Sequence, residues 1–119
     1  MIRASCHCGA VVMEADHPPA TVTSCNCSIC HRLGALWAYY TRAEARLVAG
    51  QDQVVAYLWG DREIEFYHCR TCGSCTHYEV LAKDPTSRFT INGRCFTLED
   101  LKPIKVRHLD GADTWTYLD

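Results

Sequence analysis

The chain lacks the long apolar run that a membrane-spanning helix requires. None of its hydrophobic stretches approaches roughly 20 residues, the length needed to cross a bilayer. The first residues also lack the apolar core of a secretory signal, and they lead directly into a cluster of cysteines. From these absences we expect a cytoplasmic protein with no membrane partner.

The sequence has no large excess of either charge. Twelve Lys and Arg face 14 Asp and Glu, which gives a formal net charge of -2, and the pI is about 6.3. A nucleic-acid-binding domain usually carries a basic patch or tail, and this chain has no basic tail. We therefore expect no nucleic-acid partner.

Linkers, low-complexity tracts and internal repeats are also missing, so residues 1–119 are predicted to form a single domain. Helical patterns are scarce, and short stretches rich in β-branched and aromatic residues alternate with turn signals. Strands are predicted over residues 10–15, 21–24, 36–41, 54–59, 63–67, 77–81 and 89–92. Two short helical turns are predicted, one capped by Ser28 and ending near Gly34, the other over residues 97–101 before Pro103. The predicted fold is mainly β, with antiparallel sheets and one or two short helical turns.

Cysteine is the residue that the chain has in abundance. Seven of nine cysteines form three tight clusters, at positions 6 and 8, 25 to 30, and 69 and 72. C-x-C and C-x-x-C spacings bring thiolates together around a metal and suit long-range cross-links poorly. In a protein that is not exported, such cysteines are metal ligands or free thiols rather than disulfides.

The first predicted metal site combines Cys6, Cys8, Cys69 and Cys72. On a strand, residues i and i+2 face the same way, so the first two thiols can converge. The second pair precedes Gly73, which tolerates the tight turn of a zinc knuckle. Four thiolates make a closed, structural zinc site that would join the N-terminal hairpin to the centre of the chain. The alternative is two pairs of buried thiols.

The second predicted site consists of Cys25, Cys27 and Cys30, three ligands from one short segment. Three-ligand zinc sites leave room for water or substrate, and a metal there can act as a Lewis acid or hold an incoming thiolate. A fourth ligand is not obvious from the sequence, and the candidates are Cys75, His31, His7, His77 or a water. One alternative is a second closed site completed by Cys75. Another is a set of redox-active thiols without metal.

Residues 31–40 follow the second site and are interpreted as a pocket wall. Trp37, Tyr39, Arg32 and Arg94 are the candidates for substrate contacts, since aromatic rings and arginines commonly bind ligands next to a metal. Cys95 is interpreted as a buried thiol outside both sites.

The ordered set of motifs resembles the glutathione-dependent formaldehyde-activating enzyme family, which includes centromere protein V-like proteins. The matching text is Ser-Cys-His-Cys-Gly-Ala-Val at residues 5–11, Cys-Asn-Cys-Ser-Ile-Cys at 25–30 with Gly-Ala at 34–35, Phe-Tyr-His-Cys-Arg-Thr-Cys-Gly-Ser at 66–74, and Asn-Gly-Arg-Cys at 92–95. Each motif alone is weak, but the ordered set covers nearly the whole chain. Cys75 departs from the family pattern, in which proline or histidine is more usual at this place.

The resemblance implies a β-rich β-tent (Mss4-like) fold with two zinc ions per chain. By motif match it puts a structural zinc on the four cysteines of the first site and a catalytic zinc on the three of the second. The type enzyme of the family condenses formaldehyde with glutathione to S-hydroxymethylglutathione and is classed as a carbon–sulfur lyase. The expected partner is therefore a small-molecule thiol such as glutathione.

Three functions are compatible with the sequence. The leading one is a zinc enzyme that makes or breaks a carbon–sulfur bond in a thiol adduct. The second is a non-catalytic zinc module that binds a protein partner, since fold alone does not settle function. The third, nucleic-acid binding, draws only on the centromere-protein kinship and conflicts with the acidic balance.

Overall fold

The computed structural model describes residues 1–119 and consists mainly of short strands. The strands are β1 (Ile2–Ser5), β2 (Val12–Ala15), β3 (Thr21–Cys25), β4 (Trp37–Thr41), β5 (Ala45–Ala49), β6 (Val54–Tyr57), β7 (Ile64–Cys69), β8 (Cys75–Val80), β9 (Arg88–Asn92) and β10 (Lys105–Leu109). The helical elements are α1 (Ser28–Leu33), a 3-10 turn (Gly93–Cys95) and α2 (Leu98–Leu101). The prediction of a mainly β fold with short helical turns is confirmed. None of the helices has the length and apolar character needed to cross a membrane.

The strands form one small sheet and one large sheet. The small sheet has the order β1-β2-β5, and the large sheet has the order β10-β3-β4-β9-β8-β7-β6. Neighbouring strands are antiparallel except for β10 and β3, which run parallel. The large sheet is therefore mixed, whereas the sequence predicted antiparallel sheets.

The two faces of the large sheet have different roles because side chains alternate along a strand. Ala38 and Tyr40 of β4 belong to the main core, where they pack with buried residues of the small sheet such as Met13. Trp37 belongs to a second cluster on the opposite face, together with Phe66 and others. One face of the large sheet thus packs against the small sheet, and the other carries an aromatic cluster.

All seven predicted strands are present with shifted bounds, and three further strands, β1, β5 and β10, escaped the sequence pattern. Each of the three lies at a sheet edge. Edge strands are short and often charged, which weakens the apolar alternation that identifies a strand. In β10, for example, Lys105 and His108 are exposed.

The two helical turns lie where the sequence placed them, although one cap differs. Thr97 occupies the N-cap position of α2, and its hydroxyl accepts a hydrogen bond from the Asp100 N–H at 3.1 Å. The prediction that Ser28 caps α1 is wrong, because Cys27 occupies the cap position and makes no side-chain cap bond. Gly34 ends α1 as predicted, in a left-handed conformation with φ of 66°.

Candidate metal centres and the adjoining cavity

The first cysteine cluster joins the two sheets. Cys6 and Cys8 lie in the turn that follows β1 of the small sheet, while Cys69 ends β7 of the large sheet and Cys72 lies in the turn before β8. The four sulfur atoms all lie within 4.8 Å of one another. This cluster could hold a metal ion, and it would then link the sheets at one end.

The sulfur spacing in this cluster fits tetrahedral zinc. The Cys8 sulfur lies 3.7 Å from the Cys6 sulfur and 3.7 Å from the Cys69 sulfur. Zn–S bonds of about 2.3 Å in a tetrahedron put sulfurs roughly 3.8 Å apart. The expected geometry of the first pair is nevertheless wrong, since Cys6 and Cys8 lie in a turn rather than on a strand.

Hydrogen bonds lower the pKa of Cys69 and Cys72 and so favour thiolate, the form that binds metal, at these two residues of the first cluster. Val11 N–H donates to the Cys6 sulfur at 3.3 Å, and Thr71 N–H donates to the Cys69 sulfur at 3.4 Å. The Ser74 hydroxyl lies 3.3 Å from the Cys72 sulfur. Hydrogen bonding to Ser74 lowers the pKa of Cys72 to about 5.

The second cluster lies where β3 passes into α1. Cys25 is the last residue of β3, Cys27 precedes the helix and Cys30 lies within it, and their sulfurs all lie within 4.8 Å of one another. The Trp37 indole N–H donates to the Cys30 sulfur at 3.2 Å. Burial raises the pKa of Cys30, and this hydrogen bond opposes the rise. Three soft sulfur donors at this spacing could hold a second metal ion.

Three cysteines converge in the second cluster, and no fourth candidate ligand joins them. None of the candidates from the sequence belongs to the group of side chains that converge there. His31 is exposed on α1, His7 is exposed beside Cys6, and His77 is fully buried in a stack between aromatic rings. Cys75 begins β8, and its carbonyl accepts a hydrogen bond from the Cys95 thiol at 3.4 Å. The closed, four-cysteine alternative for this site therefore has no support in the geometry.

The second cluster opens into a cavity of about 690 Å³. Thirteen of its sixteen lining residues are aliphatic, aromatic or cysteine. They are Cys25, Cys27, Ile29, Cys30, Trp37, Tyr39, Trp59, Ile64, Phe66, Tyr78, Leu109, Trp115 and Tyr117. A mostly apolar cavity of this size with a few polar groups is typical of a small-molecule site.

Two of the four predicted substrate contacts lie in this cavity. Trp37 and Tyr39 line it, because both project from the same face of β4. Arg32 and Arg94 do not. The Arg32 guanidinium donates to the Ser28 carbonyl at 2.9 Å, and the Arg94 guanidinium donates to the Gly34 carbonyl at 2.8 Å. Both arginines stabilise α1 and its C-terminal end instead.

The sequence did not reveal the other walls of the cavity. Arg88 begins β9, and Trp59 lies in the turn after β6. Trp115 and Tyr117 come from the last ten residues. The two aromatic residues in that polar segment are the one sequence signal for a role in the cavity. No local pattern indicates that the segment returns to the neighbourhood of Cys25.

The C-terminal segment, residues 110–119, packs directly on the second cluster. Gly111 is buried so tightly that a Cβ atom placed on it would lie 2.5 Å from the Cys25 sulfur. Asn26 holds the segment by donating to Asp110 at 3.0 Å and accepting from the Ala112 N–H at 2.9 Å. The segment therefore forms a wall of the cavity beside the thiols.

Comparisons with known proteins give a family match and a similar crystal structure. The family model described as glutathione-dependent formaldehyde-activating enzyme matches residues 1–108. A crystal structure of a Rhodobacter sphaeroides protein, determined by structural genomics, superposes with a TM-score of 0.71 and 29% sequence identity, covering 88% of this chain and 99% of that one. No curated protein matches the chain significantly. The C-terminal segment lies outside the residues that the family model matches.

Proposed function

The chain belongs to the glutathione-dependent formaldehyde-activating enzyme family, and we propose that it is a zinc-dependent carbon–sulfur lyase acting on a thiol adduct. The observation that carries this proposal is the second cluster. Its three cysteines have no fourth protein ligand and line a mostly apolar cavity of small-molecule size. The proposed reaction resembles that of S-(hydroxymethyl)glutathione synthase, with formaldehyde and glutathione as substrates.

The proposal includes two zinc ions with separate roles. Cys6, Cys8, Cys69 and Cys72 would hold a structural zinc, and the sulfur spacing of 3.7 Å supports this assignment.

The second cluster, Cys25, Cys27 and Cys30, would hold the catalytic zinc. When bound there, zinc supplies a Lewis-acid position that favours the thiolate form of an incoming thiol. Because three thiolates donate strongly and carry negative charge, this donor set suits thiol exchange better than the activation of water.

The proposed reaction balances without any further reactant. The substrate sulfur forms a bond to the carbonyl carbon of formaldehyde, and the electron pair of the C=O π bond moves to oxygen. That oxygen takes up a proton to replace the one that the thiol loses, and the product is a hydroxymethyl thioether. The cavity walls would hold the two reactants together and exclude water from them. The lyase direction is the reverse of these steps.

A cytoplasmic location is also part of the proposal. All nine cysteines are free thiols. Compartments that keep thiols reduced preserve that state, and both clusters need it to bind metal.

Exchange spectroscopy by NMR tests the proposed activity directly. Zinc-loaded protein should accelerate the interconversion of formaldehyde plus glutathione with the hydroxymethyl adduct. Cys30→Ser should abolish the acceleration, since it removes one ligand of the second cluster. Cys95→Ser is the matched control and should behave as wild type, because Cys95 belongs to neither cluster. No acceleration by wild-type protein with two zinc ions confirmed present would reject this reaction.

A non-catalytic binding module is the second candidate function. The observation that favours it is the rim of the cavity, where Trp59 is 43% exposed and Trp115 is 69% exposed. Exposed aromatic residues are common anchors of protein interfaces. Two zinc ions that both resist chelation, with no exchange activity, would favour the module over the enzyme.

A further inference from the structure

The cavity beside the second cluster contains one positive charge. Thirteen of the sixteen residues that line it are aliphatic, aromatic or cysteine, and the other three are Gly60, Asp61 and Arg88. The Asp61 carboxylate accepts a hydrogen bond from the Glu63 N–H at 3.2 Å. Arg88 is therefore the cationic group that a ligand in this cavity would meet.

The Arg88 guanidinium has no carboxylate partner within the chain. It forms none of the ion pairs of the protein, whereas Arg42 pairs with Glu79 and Arg46 pairs with both Glu14 and Asp16. Its side-chain hydrogen bond runs from Nη1 to the Tyr78 hydroxyl at 3.3 Å. A guanidinium has five N–H donors, so most of those of Arg88 are free to bind a ligand.

Aromatic rings fix the position of this cation. The guanidinium carbon lies 4.9 Å from the centre of the Tyr39 ring, within the range of a cation–π contact. The Tyr78 hydroxyl accepts from the same guanidinium. Two cavity-lining phenols thus hold Arg88 against the wall and leave its charge unneutralised.

Arg88 and the thiols are linked through neighbouring rings of one wall. Tyr78, which contacts Arg88, packs edge-on against Trp37 with ring centres 4.9 Å apart. Trp37 in turn donates to the Cys30 sulfur. A ligand whose sulfur meets the cluster would therefore reach Arg88 with a group several bonds away from that sulfur.

We propose that Arg88, with Tyr39 and Tyr78, forms a binding subsite for a carboxylate of the thiol substrate. This inference rests on the proposed function, because it assumes that a thiol occupies the cavity. Arg88 is exposed to solvent, and its planar guanidinium matches a carboxylate in a two-point hydrogen bond. The subsite selects thiols that carry a carboxylate at a distance from sulfur over neutral thiols.

Calorimetric titration without formaldehyde tests the subsite by binding alone. The ligands are glutathione, S-methylglutathione, in which the thiol is blocked, and glutathione diethyl ester, in which both carboxylates are masked. Arg88→Gln should weaken binding of the first two by about tenfold to a hundredfold, as expected for the loss of a charge-assisted hydrogen bond. Binding of the diethyl ester should not change, and Arg88→Lys should restore part of the affinity.

Arg32→Gln is the matched control, because Arg32 is close to the second cluster in sequence but does not line the cavity. It should bind all three ligands as wild type does, and equal zinc content in every variant shows that the clusters are intact. Unchanged glutathione affinity in Arg88→Gln would overturn the subsite, as would an equal loss for the diethyl ester or no binding of glutathione by wild type. Arg88-dependent binding without exchange activity would reject the proposed reaction and keep the subsite.

Discussion

At the residue scale, the contact between Trp37 and Cys30 is the one that most directly ties the cavity wall to the second cluster. The indole is 1% exposed, and its N–H donates to sulfur at 3.2 Å. Groups that hydrogen-bond to metal ligands orient them and stabilise their charge. Trp37 is therefore expected to position Cys30 as well as to line the cavity.

Trp37→Phe tests this role because phenylalanine keeps an aromatic ring and removes the donor. We expect metal affinity of the second cluster to fall by about tenfold to a hundredfold, the usual effect of removing such a partner. Competition with a chromogenic chelator measures that affinity. Trp59→Phe is the matched control, since Trp59 lines the same cavity and donates to neither cluster. Equal affinity in the two variants would contradict the positioning role.

The membership of each cluster was predictable from sequence because short spacings restrict where thiols can lie. The C-x-x-C spacing predicts that Cys69 and Cys72 share a turn, and Gly73 there has the predicted positive φ of 77°. The sequence does not show that Cys6 and Cys8 lie in a turn, because it does not show that β1 ends at Ser5, directly before Cys6. The sequence does not show side-chain direction either: Arg32, a predicted substrate contact, donates to the Ser28 carbonyl of its own helix.

At the scale of elements, the first cluster brings together cysteines that follow a strand of the small sheet and cysteines at the end of a strand of the large sheet. Cys6 and Cys69 belong to a small buried group with Val11, separate from the main core. Few apolar contacts support this end of the molecule, so a metal ion there would contribute much of its stability. Structural zinc in zinc-finger peptides contributes about 10–16 kcal/mol, against about 5–15 kcal/mol of net stability for a typical domain.

Cys6→Ser and Cys72→Ser are accordingly expected to give unfolded or insoluble protein. Thermal unfolding followed by circular dichroism, together with the soluble yield, measures the effect. Cys95→Ser, which removes a half-buried thiol from outside the clusters, should lower the midpoint only slightly. A soluble Cys72→Ser protein that unfolds at the wild-type temperature would show that this cluster does not stabilise the fold.

The C-terminal segment, residues 110–119, offers a second test at this scale. Gly111→Ala would bring a methyl group to 2.5 Å from the Cys25 sulfur and 3.2 Å from the Cys27 Cβ, so either the segment or the cluster must shift. We expect zinc affinity of the second cluster to fall by at least about tenfold, as measured by chelator competition.

Ala112→Ser is the control for that substitution. It adds one atom to the exposed neighbouring residue, whose backbone N–H still bonds to Asn26. Zinc affinity of this variant should equal that of wild type. If Gly111→Ala also bound zinc normally, the segment would not be in close contact with the cluster.

Which strands could be predicted followed from their place in the sheets. Central strands such as β4 and β9 carry aromatic and β-branched residues that are buried in the core. β5 consists of Ala-Arg-Leu-Val-Ala and lies at an edge of the small sheet. It lacks a regular alternation of apolar and polar residues, as edge strands often do. The parallel pairing of β10 with β3 depends on a long-range return of the chain, which no local pattern encodes.

At the scale of the whole molecule, the two clusters should differ in how readily they release metal. The four-cysteine cluster offers a complete tetrahedral shell, whereas the three-cysteine cluster faces a cavity that a chelator can enter. We expect two zinc ions per chain by elemental analysis, falling to one after mild treatment with EDTA. Two ions that both persist would indicate two structural sites and would contradict the proposed catalytic role.

Cys30→Ser provides the reference for that measurement. It should contain about one zinc ion before any chelation, held by the first cluster, and EDTA should remove little more. Retention of its fold would show that the second cluster serves the cavity rather than the framework. Loss of its fold would indicate that both clusters stabilise the protein.

The position of the C-terminal segment also has an evolutionary consequence. Trp115 and Tyr117 shape the cavity from a stretch that the family model does not match, while both cysteine clusters lie inside the matched range. Substitutions of Trp115 and Tyr117 can therefore change the cavity without changing a cysteine of either cluster. A relative with the same cysteine clusters but other residues at these two positions would therefore have a cavity of different shape.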